Sequence, residues 1–230
     1  MKKNIKYGIL AFITACCFLA CAKQDDTYRD FLKGGEILYI GRVDSVKNYG
    51  GKGRIGFSWL LTSDPKITKC RIFWNGVADS VEIPVTRTQG VDTVRVTLNN
   101  MTEGVKTFSI YTYDNAGHRS VRVEKIANVY GDIFQLSCLP RITKDIVKRS
   151  NGLMRWDWIG TTENYIGVKM TYVDLAGATK EVWWEPNKLN ADSLAGVKPE
   201  SEFTYVTYFK PEPAALDTFY SVPVTKKWPK

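Results

Sequence analysis

His118 is the only histidine of the 230-residue chain, so any Ser-His-Asp or Cys-His chemistry would have to pass through it. It lies in Asp114-Asn115-Ala116-Gly117-His118-Arg119, whose composition is that of a tight turn. A turn tip offers no buried cleft and no nucleophile beside the imidazole, so a solvated histidine is expected. Paired carboxylates are the other route to hydrolysis, and Glu181 and Glu185, which flank Trp183-Trp184, are the best placed. On a strand, residues four apart share a face and stand about 13 Å from each other at roughly 3.3 Å per residue. Glycosidase carboxylates sit closer than that, so these two read as solvent-facing strand charges. The chain shows no glycine-rich phosphate loop, dinucleotide fingerprint or calcium-type Asp pattern. No catalytic residue is assigned, and neither a cofactor nor a metal is expected.

The remaining reactive groups are thiols. Cys70 and Cys138 stand 68 positions apart and in an oxidising compartment can pair. Both lie in apolar, strand-like contexts of different halves, which favours buried free thiols. Four spaced metal ligands are lacking, which argues against a structural zinc site.

Cys21 carries a different chemistry. Lys2, Lys3 and Lys6 precede a mostly apolar run of fourteen residues, Tyr7 to Ala20. That run is shorter than the roughly 20 residues needed to span a bilayer and fits the apolar region of an export signal. Its end, Phe18-Leu19-Ala20-Cys21, resembles the lipobox of exported lipoproteins, in which the cysteine is acylated and becomes the first residue. Ile13-Thr14-Ala15-Cys16 is a rival. Cleavage there would leave an apolar stub, whereas cleavage before Cys21 leaves the polar Ala22-Lys23-Gln24-Asp25-Asp26. Cys21 is therefore the expected lipidation site and the link to the membrane. The acidic pair after Lys23 is similar to the tethers of Bacteroidota lipoproteins carried to the cell surface.

The chain carries a formal charge of +8, and removing a signal with three lysines leaves +5. These charges form no basic block, and a nucleic-acid partner, which would need a Lys/Arg stripe, is not expected.

The elements that hold these residues are strands. Period-two alternation recurs after residue 33, with turn residues at short intervals, as in an all-β sandwich. Ile55, Phe57, Trp59 and Leu61 alternate, as do Cys70, Ile72 and Trp74, then Val94, Val96 and Leu98, then Phe108, Ile110 and Thr112. Asp64-Pro65, Asn75-Gly76, Asn99-Asn100 and Asp114 to Gly117 supply turns. The second half repeats the pattern with Met154, Trp156 and Trp158, then Val168, Met170 and Tyr172, then Val182 and Trp184, then Phe203, Tyr205 and Thr207. An internal repeat of about 100 residues, one seven-stranded sandwich per half, accounts for this. The link is read at Ala127-Asn128-Val129-Tyr130-Gly131-Asp132, short enough for end-to-end packing with limited swing.

The order of features resembles tandem fibronectin type III modules. A Trp on the second strand (Trp59, Trp158) and a turn followed by an aromatic at the sixth (Phe108, Phe203) carry the likeness. Val197-Lys198-Pro199-Glu200-Ser201-Glu202-Phe203 is similar to that fold's Leu-x-Pro-x-Thr-x-Tyr corner, with Phe203 in place of the tyrosine, so the corner hydroxyl's backbone hydrogen bond is missing. The expected fold is all-β: two tandem immunoglobulin/fibronectin type III-like β-sandwiches after a lipoprotein signal peptide. Its parts are a signal at 1–20, a tether at 21–33, and sandwiches at 34–130 and 131–230.

A wider likeness rests on Asp30-Phe31-Leu32-Lys33-Gly34-Gly35-Glu36, Ser63-Asp64-Pro65-Lys66-Ile67-Thr68-Lys69, Tyr111-Thr112-Tyr113-Asp114-Asn115 and Leu216-Asp217-Thr218-Phe219-Tyr220. These stretches resemble a Bacteroidota lipoprotein family with a domain of unknown function, often encoded near glycan-utilisation operons. The resemblance implies a cell-envelope setting, lipid-anchored to the outer membrane and surface-exposed, and supplies no activity.

Aromatics make up 13 % of the chain, with seven Trp. Most belong to cores, but strand parity turns Phe73, Tyr111, Tyr113 and Trp183 outward. Such rings stack on sugars or bind a protein, unless another part of the chain covers them. The expected function is a non-catalytic surface lipoprotein that binds or scaffolds, in glycan capture or uptake, with a glycan or an outer-membrane uptake-complex protein as partner. The alternative is a structural spacer or adhesin contacting a protein.

Overall fold

β2 (Arg54–Leu61) shows why this chain forms sheets: Ile55, Phe57, Trp59 and Leu61 point to one side and are buried. The computed structural model describes residues 38–230 except 63, 161, 162 and 188. The signal, Cys16, Cys21, the tether and the stretch from Asp30 to Glu36 lie outside the described residues.

In the first half, β1 (Asp44–Gly51), β2 and β5 (Asp92–Asn99) form one antiparallel sheet in the order β1-β2-β5. The facing sheet takes β3 (Lys69–Trp74), β4 (Asp79–Pro84), β6 (Gly104–Tyr113) and β7 (Val123–Val129) in the order β4-β3-β6-β7. Between them lies one core of Ile55, Phe57, Trp59, Ile72, Phe108 and Ile110 with their neighbours.

The second half repeats this plan. β8 (Thr143–Lys148), β9 (Met154–Trp158) and β12 (Ala191–Leu194) form the three-stranded sheet. β10 (Tyr165–Val173), β11 (Thr179–Trp184) and β13 (Glu202–Phe209) form the other, and the last strand is broken into β14 (Phe219–Tyr220) and β15 (Val224–Lys227), both paired with β13. Each half thus pairs a three-stranded sheet with a four-stranded one, the fourth strand being broken in two in the second half, with crossovers at equivalent points, the partition of a fibronectin type III sandwich. Trp59 and Trp158 both sit on the second strand of their module and are buried.

The second core is almost wholly aromatic. Trp156 has ring centroids of Phe203, Trp158, Tyr205, Trp228 and Trp184 within 4.7 to 5.8 Å. The corner differs from the sequence expectation in one respect. Phe203 has no hydroxyl, but Tyr205, two residues on, donates from its phenol to the Arg141 backbone carbonyl at 2.8 Å. A tyrosine-to-backbone bond is therefore present, and it ties the sixth strand to the start of its own module.

The link is shorter than expected. Ala127 to Val129 complete β7, and a short helix, α1 (Asp132–Ser137), follows at once. Its six residues are too few to leave a helical period in the sequence. Glu103 caps it, accepting the Ile133 and Phe134 backbone N–H groups at 2.8 Å each. Ile40–Lys230 pack as one compact unit, and the junction between the two cores combines specific hydrogen bonds with the packing of Tyr130 on Phe134 and Phe219. Leu216 N–H donates to the Gly50 carbonyl at 2.8 Å, and Tyr130 exchanges backbone bonds with Gly51 and Gly53. The Tyr130 phenol donates to Glu212 at 2.7 Å.

Candidate functional site

Cross-strand register sets the outer face of the four-stranded sheet in each module. In the first, Lys69 and Arg71 stand opposite Tyr113 and Tyr111, and Phe73 opposite Ser109. Phe73, Tyr111 and Tyr113 do point outward, each half-buried. Their partial cover comes from β3 and from the segment that follows β6. The Arg71 guanidinium lies 4.9 Å over Phe73, that of Arg119 5.4 Å over Tyr111, and the Lys69 ammonium 5.9 Å from the Tyr113 ring centre.

In the second module Trp183 is 43 % exposed while its neighbour Trp184 is buried, as parity requires. Its indole lies flat against Gly167, where an added Cβ would come within 2.2 Å of the ring. Only a residue without a side chain allows this, and the approach brings Trp183 across β10 to Tyr208, with centroids 5.3 Å apart. Tyr208 is in register with Tyr220 on β14, and those rings are 6.0 Å apart. Trp183, Tyr208 and Tyr220 therefore form a row across four strands. Interplanar angles of 63° and 47° turn each ring relative to the last. An ion pair edges the row: Lys169, in register with Trp183, meets Glu181 at 2.8 Å.

The structure thus does not gather the four sequence-selected rings into one site. Phe73, Tyr111 and Tyr113 belong to one face and Trp183 to another. Tyr208 was legible from the inward set Phe203, Tyr205, Thr207 and Phe209, which leaves Tyr208 outward. Tyr220 was not, because a two-residue strand has no alternation to read. Beyond Tyr220, a groove of about 310 Å³ is lined by Leu136, Leu139, Val222 and Pro223, all but the last strongly exposed apolar residues.

The groups with chemical potential sit elsewhere. His118 Nδ1 meets Asp114 at 2.8 Å within its turn, and that hydrogen bond, against a smaller opposing effect of burial, holds the Asp114 carboxyl below its usual range. Glu181 is engaged by Lys169. Both thiols are free and buried, and burial pushes Cys70 up to about 11 and raises Cys138, which makes them poor nucleophiles. Arg141 is buried and fully partnered: it bonds the Gly160 carbonyl, the Tyr165 hydroxyl and Asn190 and lies 4.9 Å from the Trp158 and Tyr165 ring centres. Nearby Asp192 accepts from the Trp158 indole at 2.8 Å, and burial raises its carboxyl above the usual range. This cluster braces one end of the second core. Among the described residues no group of three or more His, Cys, Asp or Glu could hold a metal ion.

A family described as a domain of unknown function, DUF4998, matches residues 21–219. The chain belongs to the DUF4998 family. No curated protein matches it. Among solved structures, this DUF4998 chain is similar to the FN1-FN3 domains of chicken CNTN1, with 13 % identity and a TM-score of 0.41 over 83 % of this chain; it spans 66 % of that segment. It is also similar to a two fibronectin type-III domain segment of chicken tenascin, with 11 % identity and a TM-score of 0.32, covering 82 % of this chain and 99 % of that one. The fold assignment for this DUF4998 member stands on its own strand order.

Proposed function

We propose that this protein is a non-catalytic lipoprotein of the cell envelope, acylated at Cys21, held at the outer membrane and facing outward, that captures a glycan for uptake. The row Trp183–Tyr208–Tyr220 carries the reading. Sugar rings present C–H faces that pack on aromatic π faces as other apolar groups do, and Lys169, in register with Trp183 and paired with Glu181, lies beside the rings to bond hydroxyls. Because successive rings are turned, the row suits a soluble, twisting chain over a flat crystalline surface. The lysine-rich start, the apolar run ending at Cys21 and the family resemblance support the anchored, glycan-related setting. The family match itself begins at Cys21.

Affinity electrophoresis against a panel of plant and host polysaccharides tests the glycan reading. Retardation on at least one, lost in Trp183→Ala, is expected; migration unchanged on every polysaccharide would remove it. The groove between Leu136, Leu139 and Val222 favours a second reading, in which the protein positions a partner protein of an uptake complex. Co-purification of a stable partner with no sugar binding would select that reading.

A further inference from the structure

The outer face of the first module differs from the row in one property, its charge. Arg71 is fixed twice: it stacks over Phe73 at 4.9 Å, and its Nε and Nη2 donate to Ser80 Oγ at 3.2 and 2.9 Å. Arg119 is fixed over Tyr111 at 5.4 Å. The two rings meet edge to face at 5.8 Å, so both guanidinium groups belong to one cluster. The other cations of the face are neutralised, Lys69 by Glu82 at 3.1 Å and Arg122 by Glu124 at 3.2 Å. Among the described residues neither Arg71 nor Arg119 has a carboxylate partner; Arg71 has a hydroxyl and a ring, Arg119 a ring alone.

A guanidinium stacked on a ring keeps its remaining in-plane N–H donors free, and it is weakly hydrated, so it meets a planar anion at little cost. Its fork fits a carboxylate or sulfate bidentately. The adjoining phenyl and phenol rings supply the apolar surface that a pyranose needs.

We propose that this face, through Arg71 and Arg119 with Phe73 and Tyr111, binds an acidic polysaccharide, one whose pyranose units carry carboxylate or sulfate groups. Charge complementarity selects this ligand over a neutral one, and the rings select it over a bare anion. The site is separate from the Trp183 row and does not depend on it.

The test measures binding of the mature chain to polygalacturonate, chondroitin sulfate and a neutral glucan, with Arg71→Gln, Arg119→Gln and the double variant. Both side chains are on the surface, and circular dichroism verifies that each variant keeps its fold. Binding to at least one acidic polysaccharide is expected. It weakens about tenfold per arginine, as for loss of a charged hydrogen bond, and falls only partly in Arg71→Lys, which keeps charge and loses the fork. Trp183→Ala leaves it unchanged. Three results would overturn the proposal: no binding to either acidic polysaccharide, equal binding by the double variant, or complete competition by phosphatidylglycerol vesicles, which would mean charge attraction without sugar recognition. Loss of neutral-glucan binding in Trp183→Ala alone reports on the row and leaves this outcome readable.

Discussion

Arg54 and Asp217, 163 positions apart, form a bidentate ion pair that ties the two modules together: Nε to Oδ2 is 2.9 Å and Nη2 to Oδ1 is 2.5 Å. The same carboxylate accepts the Lys52 backbone N–H at 2.8 Å, so it closes the end of the β1–β2 hairpin from outside. Gly51 makes the approach possible, since a Cβ there would lie 2.5 Å from Asp217 Oδ2. Arg54 is 42 % and Asp217 24 % exposed, so the pair is screened, and Asp217→Ala is expected to cost about 1 kcal/mol, short of the cost of breaking a buried pair. In urea unfolding, Arg54→Ala with Asp217→Ala should cost less than the sum of the two single changes, by about 0.5 kcal/mol or more. Strict additivity would mean that the two side chains do not support each other.

The Arg54 hydrogen bond, against burial, holds the Asp217 carboxyl below the ordinary aspartate range. An acid whose folded value lies below its unfolded value of about 3.9 adds stability above that pH and loses it as pH falls through the folded value. Asp92 and Asp114 are lowered too and add to the loss in acid, while Asp192, raised by burial, acts in the opposite sense. Asp217→Asn should be less stable than wild type at neutral pH, with the gap narrowing below about pH 4. A gap that stays constant down to pH 2 would contradict this.

Gly167→Ala should break the row without breaking the sandwich. The clash falls on the far end of the Trp183 ring, which can swing into solvent. The expected outcome is a folded protein with a melting temperature a few degrees below wild type, because an L residue is strained at the Gly167 φ of 158°, together with loss of any glycan binding that Trp183→Ala removes. Retained binding would show that the indole's seat on Gly167 is unimportant.

Val77 follows Asn75 and Gly76 in the β3–β4 turn, and all three have positive φ, 52°, 65° and 71°. A β-branched residue is strained there, and Val77 is 65 % exposed, so its side chain contributes little burial. Val77→Asn should raise stability by up to about 1 kcal/mol, a rise of about 2–4 °C in Tm for a chain of this size. A fall in Tm would mean that the valine side chain makes a contact that outweighs the strain.

The sandwich was legible because each central strand buries one face, so that Phe57-Trp59 and Trp156-Trp158 repeat the same alternation one module apart. Parity also turned Phe73, Tyr111, Tyr113 and Trp183 the right way. The pairing of rings was not legible: Trp183 reaches Tyr208 only because Gly167 leaves room, and a glycine in a strand does not say which neighbour will use the space. Arg54 and Asp217 carried no signal either. Arg54 opens β2 and Asp217 lies in the loop before β14, and their meeting depends on how two modules dock, which no local pattern encodes. Trp228 and Tyr205 show the same limit inside the core, where a ring's role depends on partners far along the chain.

The most direct test of the binding row is the set of indole N–H resonances during titration with the polysaccharide that retards the protein. Trp183 should shift with ligand, while Trp59, Trp156 and Trp158, buried in the two cores, stay in place. A glycan that binds and leaves the Trp183 resonance unmoved would contradict the account.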